Sequence, residues 1–296
     1  RGNFFEAVWR RFCNNRAAAS CAVCPLHSMC PVSALVAPLR EENERGRDIP
    51  RPYVILPPLA ARLYKPGEQL VFGITLFGNI VQLFPYIIMA SQTLEAIGLG
   101  RKLEANKGQR GRFTIKQIES YHPMTKERQV LYQEGKARVD APTLSVTPAD
   151  VITRAHALPD ERITINFLTP TRVLFQDKLV HHAAFRPLIL RLLERLAALE
   201  QTYGDGHRQE KASLIASHDD IGELAKDVQC IEDTTYWDDL HSYSRRLHRT
   251  TPIGGIMGKA TFAGHLVPFR ELLTWGELIH VGKNTVKGNG WFKLEA

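Results

Sequence analysis

Apolar residues along this chain switch between a spacing of two and a spacing of three or four, and the switches mark out one pattern twice. In the second half, residues 162–168 alternate apolar and polar side chains as a strand does. Residues 183–201 (AAFRPLILRLLERLAALEQ) repeat apolar positions at helical spacing. A charge-rich loop follows and rises through Cys230. Residues 235–245 and 253–263 then read as strands, 266–279 as a helix and 291–294 as a closing strand. The first half begins with a helix at 2–13. Strands follow at 53–56 and at 69–76, the latter after a Pro66-Gly67 turn. Residues 80–97 form its second helix, where Pro85 either kinks the helix or marks a later start. A fourth strand is expected at 113–120. The chain thus predicts two βαββαβ units of an α+β protein. These are a 1–150 unit that lacks its opening strand and a 151–296 unit, with the boundary near 140–160.

Each unit carries a glycine-rich loop between its second helix and its last strand. In the first, GLGRKLEANKGQRGRF, Gly98, Gly100, Gly108 and Gly111 alternate with Arg101, Lys102, Lys107, Arg110 and Arg112, and only Glu104 opposes them. In the second, glycines at 282, 288 and 290 flank Lys283 and Lys287. Glycines leave amides uncovered and let a polyanion backbone approach, and the cations supply charge. A solvated basic face, or a strand–turn hinge with exposed lysines, is the alternative reading of either loop. The same device at the same place in both units points to phosphate.

Composition agrees without deciding. The 296 residues carry a formal charge of +7, with a pI near 9.2, which favours an anionic partner. With 44% hydrophobic residues the chain can build cores. No apolar stretch reaches the ~18 residues that span a bilayer, and no signal peptide is visible, so a cytoplasmic location is expected. The chain opens at Arg1, inside a helix and without an initiator Met, and stops on a strand. It reads as a segment of a longer protein.

Four of the five cysteines crowd into one loop as C-x7-C-x2-C-x5-C, at Cys13, Cys21, Cys24 and Cys30. With no export signal, such clustering reads as a metal site rather than a disulfide framework. Zinc is the first expectation, since a tetrahedral ion takes four such thiolates. An iron–sulfur cluster is the alternative, because Pro25 and Pro31 follow cysteines. Free buried thiols are the third reading.

Several segments, in order, resemble one family. They are RGNFFEAVWRRFC, CAVCPLHSMCPVSALVAP, RPYVILPP, GEQLVFGITLFG with the GLG loop, HSYSRRLHRTTPIGGIMGKATFAG, and the C-terminal glycine loop. The chain is similar to CRISPR precursor-RNA processing endoribonucleases of the RAMP superfamily, in a branch that bears cysteines. The resemblance covers nearly the whole chain. It implies tandem ferredoxin-like, RRM-like domains with glycine-rich loops, binding of CRISPR repeat RNA, and cleavage that needs no metal. In such cleavage a 2′-hydroxyl attacks its own 3′-phosphate and leaves a 2′,3′-cyclic phosphate. Family members also occur as non-catalytic scaffolds of CRISPR effector complexes. Others are joined to a reverse transcriptase and an integrase.

The family often places a His near its first helix, sometimes with Tyr and Lys. Here His27 is the only histidine among the first hundred residues, and no Lys precedes Lys65. His27 is therefore the first candidate acid–base group, with a metal ligand or a solvated loop residue as alternatives. His280 adjoins the second glycine loop and is the second candidate. The alternative is a helix-end His favoured by the dipole. His181-His182 reads as a polar helix end. On a strand, His241, Tyr243 and Arg245 share one face, and Arg246 and His248 the other. An aromatic beside an arginine suits a stacked base and a phosphate, so Tyr243, Arg245 and Arg246 join the candidate RNA contacts. An ordinary exposed strand is the alternative.

Overall fold

The structure, a computed structural model, describes residues 3–38, 49–60, 62–136, 138–204, 218–244 and 249–295. The chain divides into two compact units, Arg1–Pro52 with Gly78–Pro148 and Tyr53–Phe77 with Ala149–Ala296.

Helix α1 (Asn3–Phe12) buries Phe4, Ala7 and Val8, which share one face at helical spacing. It packs against α2 (Pro31–Val36). Strands β1 (Tyr53–Leu56) and β2 (Gly73–Leu76) pair antiparallel and belong to the second unit, although the sequence places them in the first. Their attachment there is steric. Ile55 and Pro57 lie against Gly288 of the C-terminal loop, where an added Cβ would come within 2.9 Å of the Ile55 carbonyl oxygen.

The expected helix at 80–97 is a 3-10 turn, Gly78–Leu83, followed by α3 (Phe84–Ile97) with Pro85 in its first turn. Proline fits there because that N–H has no intrahelical partner. α3 packs on α1. Asn3 Nδ2 donates to the Gly98 carbonyl at 2.6 Å, and the rings of Phe12 and Tyr86 meet edge to face at 5.2 Å. By length and composition, Gly78–Ile97 is apolar enough to cross a membrane, at mean hydropathy 1.3. It is longer than any apolar stretch expected from the sequence. The 14 residues of α3 rise only ~21 Å against a hydrocarbon core of about 30 Å.

Strands β3 (Leu99–Leu103) and β4 (Gln109–Gly111) form one hairpin. Strands β5 (Gln117–Tyr121) and β6 (Arg128–Gln133) form another. The expected strand at 113–120 is thus one arm of a hairpin. Its ladder bonds go to β6, and Ile118 and Leu131 pack with Phe84 and Ile88 of α3.

The second unit opens with α4 (Pro148–His156), β7 (Arg162–Thr171), β8 (Leu174–Phe175) and β9 (Lys178–Leu179). Helices α5 (Phe185–Tyr203) and α6 (His218–Leu224) follow. Next come β10 (Gln229–Asp233), β11 (Tyr236–Asp238), β12 (His241–Ser244), β13 (Arg249–Pro252) and β14 (Gly255–Ala263). Helix α7 (Arg270–Ile279) and β15 (Phe292–Glu295) close the chain.

The main sheet is antiparallel in the order β10–β14–β7–β15, with β11 also on β14. Counted along the β7–α5–β10–β14–α7–β15 path, this places the third strand between the second and the first, with the fourth outside the first. That is the ferredoxin-like order, reached by the alternation the sequence carries. Ile163, Ile165 and Phe167 point to the core with Ala260, Phe262, Phe292 and Leu294. Burial of each large side chain contributes about 1.5–3 kcal/mol.

The expected strand at 235–245 is broken into β11 and β12, which pair in different ladders. The chain bends between them, where the Leu240 N–H bonds to the Asp238 carbonyl.

Helix α7 approaches α5 and β15 at Gly276. A Cβ there would lie 2.6 Å from Phe292 Cζ and 2.9 Å from Leu192 Cδ2, and both side chains are fully buried. Gly276→Val is therefore expected to lower stability by about 1–3 kcal/mol through overpacking, read from urea unfolding midpoints at constant m.

Candidate nucleic-acid interface

The β3–β4 hairpin turns at Lys107 and Gly108, both with positive φ. Asn106 Nδ2 ties the turn by donating to the carbonyls of Gln109 and Arg110, at 3.2 and 3.1 Å. Arg101, Lys102, Lys107 and Arg112 are exposed. Among the described residues none of the four is in an ion pair. Arg110 differs: its guanidinium turns back to donate to the Gly100 carbonyl. Four of the five expected cations thus face solvent, and the fifth braces the hairpin that presents them. Uncompensated charges this close repel one another, and a polyanion relieves that repulsion.

The cysteine loop is built from two 3-10 turns, Cys21–Val23 and His27–Met29. Cys13, Cys21, Cys24 and Cys30 are half-buried, and none is in a disulfide. Among the described residues no three His, Cys, Asp or Glu side chains gather closely enough to hold a metal. Cys24 Sγ instead accepts from Asn15 Nδ2 at 3.7 Å. As placed, the thiols do not form the tetrahedral set their spacing suggests. His27 lies between Cys24 and Cys30. Its ring is half-buried, and its Nε2 is covered without a hydrogen-bond partner.

The C-terminal glycines do something other than expose amides. Gly282, Gly288 and Gly290 all have positive φ. At Gly290 an added Cβ would fall 1.9 Å from the Val281 carbonyl oxygen, so the fold needs glycine there. Several of the loop amides are spent internally. Lys283 N–H donates to the Arg172 carbonyl at 2.9 Å and Gly290 N–H to that of Pro170 at 3.1 Å. Trp291 N–H donates to Thr169 Oγ1 at 2.9 Å. Lys283 is exposed and Lys287 half-buried. The glycines let the loop lie tightly on the end of β7, and its side chains, not its backbone, reach outward.

Residues 165–292 match the family model of the CRISPR-associated endoribonuclease Cas6. That match lies within the second unit. Residues 1–144 match a different family model, the AF_1859_N N-terminal domain. No curated protein matches the chain. Among solved structures the chain is similar to a Cas6 product complex at 16% identity and a TM-score of 0.49, covering 99% of this chain and 91% of that one. A partial Cas6-RT-Cas1–Cas2 complex has the same identity and score but covers 82% of this chain and 38% of that one. Thermus thermophilus Cas6 matches at 17% identity and a TM-score of 0.43, covering 99% and 89%. At such distance these likenesses give no residue a role.

Within the segment that matches the Cas6 model, His280 is fully buried and stacks on Trp291 with the ring planes 10° apart. Its Nδ1 lies 3.2 Å from the Asn289 carbonyl. A carbonyl only accepts, so Nδ1 carries the proton and Nε2 is left as an acceptor. That Nε2 has no partner, and neither does the buried donor Nη2 of Arg195. The two are complementary. Arg195 Nε donates to the Ile279 carbonyl at 2.8 Å, and burial brings this guanidinium down to about 10. Burial first, then the Arg195 charge, push His280 down to about 3. A ring held neutral and away from solvent supports the loop; it is not presented to a substrate.

The remaining expected contacts divide. Tyr243 lies on β12, opposite Thr250. Arg245 and Arg246 lie outside the described residues. Burial of Arg195 had no signal of its own in a helix that repeats Leu and Arg.

The folded protein keeps His280 neutral down to about pH 3, whereas an unfolded imidazole takes a proton near 6.5. Stability from this ring is complete above 6.5 and falls on acidification toward 3, at up to about 1.4 kcal/mol per pH unit. Chemical denaturation from pH 7 to 4 should show a shallower loss in His280→Gln than in the unmodified chain. Equal slopes would show that the ring titrates alike folded and unfolded.

Proposed function

We propose that this chain cuts CRISPR precursor RNA within its repeats without a metal. A ribose 2′-oxygen attacks the adjacent phosphorus as its proton passes to a base. The bond to the next nucleotide's 5′-oxygen breaks, and that oxygen takes a proton from an acid. The products are a 2′,3′-cyclic phosphate and a 5′-hydroxyl. The match of 165–292 to the Cas6 endoribonuclease model carries this reading. The four unpaired cations of the β3–β4 hairpin support it, since a polyanionic substrate must be neutralised and its developing phosphorane stabilised.

His27 is the proposed acid–base group, and His280 acts through the loop it supports. One observation favours a second reading, a non-catalytic RNA-binding scaffold: Nε2 of His27 and Nε2 of His280 are both covered. Either activity would serve a CRISPR complex or a chain joined to reverse transcriptase and integrase domains. Zinc at Cys13, Cys21, Cys24 and Cys30 stays a proposal on spacing alone, and an iron–sulfur cluster its alternative. Either requires the two 3-10 turns to close on each other. Elemental analysis of protein purified without added metal should then find about one zinc per chain, or iron with visible absorption.

Single-turnover cleavage of repeat RNA in EDTA, with product ends mapped, tests the activity. His27→Ala is expected to slow cleavage by roughly two to four orders of magnitude at unchanged affinity. Binding without cleavage by the unmodified chain would decide for the scaffold. Charge reversal at Arg101 and Arg112, or at Lys283 and Lys287, should weaken binding and flatten its salt dependence. An unchanged salt slope in both double variants would remove the two loops from the interface.

A further inference from the structure

Three side chains from separate parts of the second unit meet beside the C-terminal loop. Arg172 follows directly on β7, His181 precedes α5, and Trp237 lies on β11. The Arg172 guanidinium sits 5.7 Å from the centroid of the Trp237 ring, and the His181 ring 4.5 Å from it at a tilt of 41°. Trp237 is half-buried and packs against the main core. His181 is exposed, so it forms the outer layer of a ring pair whose inner layer is anchored.

Arg172 has the features of an anion receptor. Its Nη1 donates to the Gly254 carbonyl at 3.3 Å, and it lies over the indole. Among the described residues no carboxylate pairs with it. A guanidinium has five N–H donors, so most remain for a ligand, while one ties it to the backbone. Asp238 follows Trp237, but side chains alternate along a strand, so it projects to the other face. The Arg172 carbonyl also accepts the Lys283 N–H, so the exposed lysine of the glycine loop leaves the backbone at the same junction.

We propose that Arg172, His181 and Trp237 form a binding site for single-stranded RNA, with a phosphate on Arg172 and a neighbouring unpaired base on the outer face of His181. Cation and ring face are what such a nucleotide requires, and stacking of this kind tolerates any base. The site rests on the reading that this chain binds RNA, and adds to it a contact for an unpaired nucleotide next to the loop.

The test measures binding of the full chain to a short oligouridine by fluorescence anisotropy at several salt concentrations. Thermal unfolding of each variant is followed by circular dichroism. Arg172→Gln should weaken binding roughly tenfold and lower the salt slope by about one. His181→Ala, at an exposed position that should not disturb folding, should weaken binding by a similar factor and leave the slope unchanged. Replacing the uridines by abasic nucleotides should abolish the effect of His181→Ala and keep that of Arg172→Gln. If both variants bind oligouridine as the unmodified chain does, while reversal at Lys283 and Lys287 weakens binding, RNA is bound elsewhere and this site is refuted. If the unmodified chain binds no RNA at any salt, the functional reading fails and the site fails with it. A variant whose unfolding temperature drops in step with its affinity would mark a packing role only.

Discussion

Strand β7 bonds to a neighbour along both edges, to β14 on one side and β15 on the other. The second unit hangs from that double pairing. Because both ladders are antiparallel, one alternation of side chains suffices to send Ile163, Ile165 and Phe167 to the core. Where β7 ends, its groups turn outward. Thr169, Pro170 and Arg172 accept the N–H groups of Trp291, Gly290 and Lys283. The C-terminal loop is therefore the continuation of the sheet's hydrogen bonding beyond its last rung. Its glycines are the residues that allow so close a fit.

Basic residues in this protein fall into two physical kinds. On the β3–β4 hairpin they are exposed and unpaired among the described residues, and their repulsion is available to a polyanion. In the second unit, Arg195 is withdrawn from water and its charge lowers the basicity of His280. The first kind is free to meet phosphate directly. Arg195 holds the segment from which Lys283 reaches out through the Ile279 carbonyl, and His280 holds it through the Asn289 carbonyl. A net charge counts both kinds alike and so overstates the surface available to RNA.

Local spacing made much of this legible. The period of two in β7, the three-and-four spacing of α5, and the early proline of α3 each depend on neighbours a few residues apart, and all appear in the structure within a few positions. The α+β class and the cations of the hairpin were legible for the same reason. The break between β11 and β12 was not, because it follows from Gly254 packing against the Asp238 carbonyl, a contact that no local spacing encodes.

The sequence by itself determined the strand at β7, the helices α1, α3, α5 and α7, and where charge would be dense, because steric and solvation preferences act over a turn or a pleat. Only the tertiary structure decided what those residues face. It turned Arg110 back on its own hairpin, buried His280 against Trp291, and set Arg172 and His181 around Trp237. Those outcomes depend on which distant strands pair and which side chains closing the core removes from water, and that is settled by the packing of the whole unit.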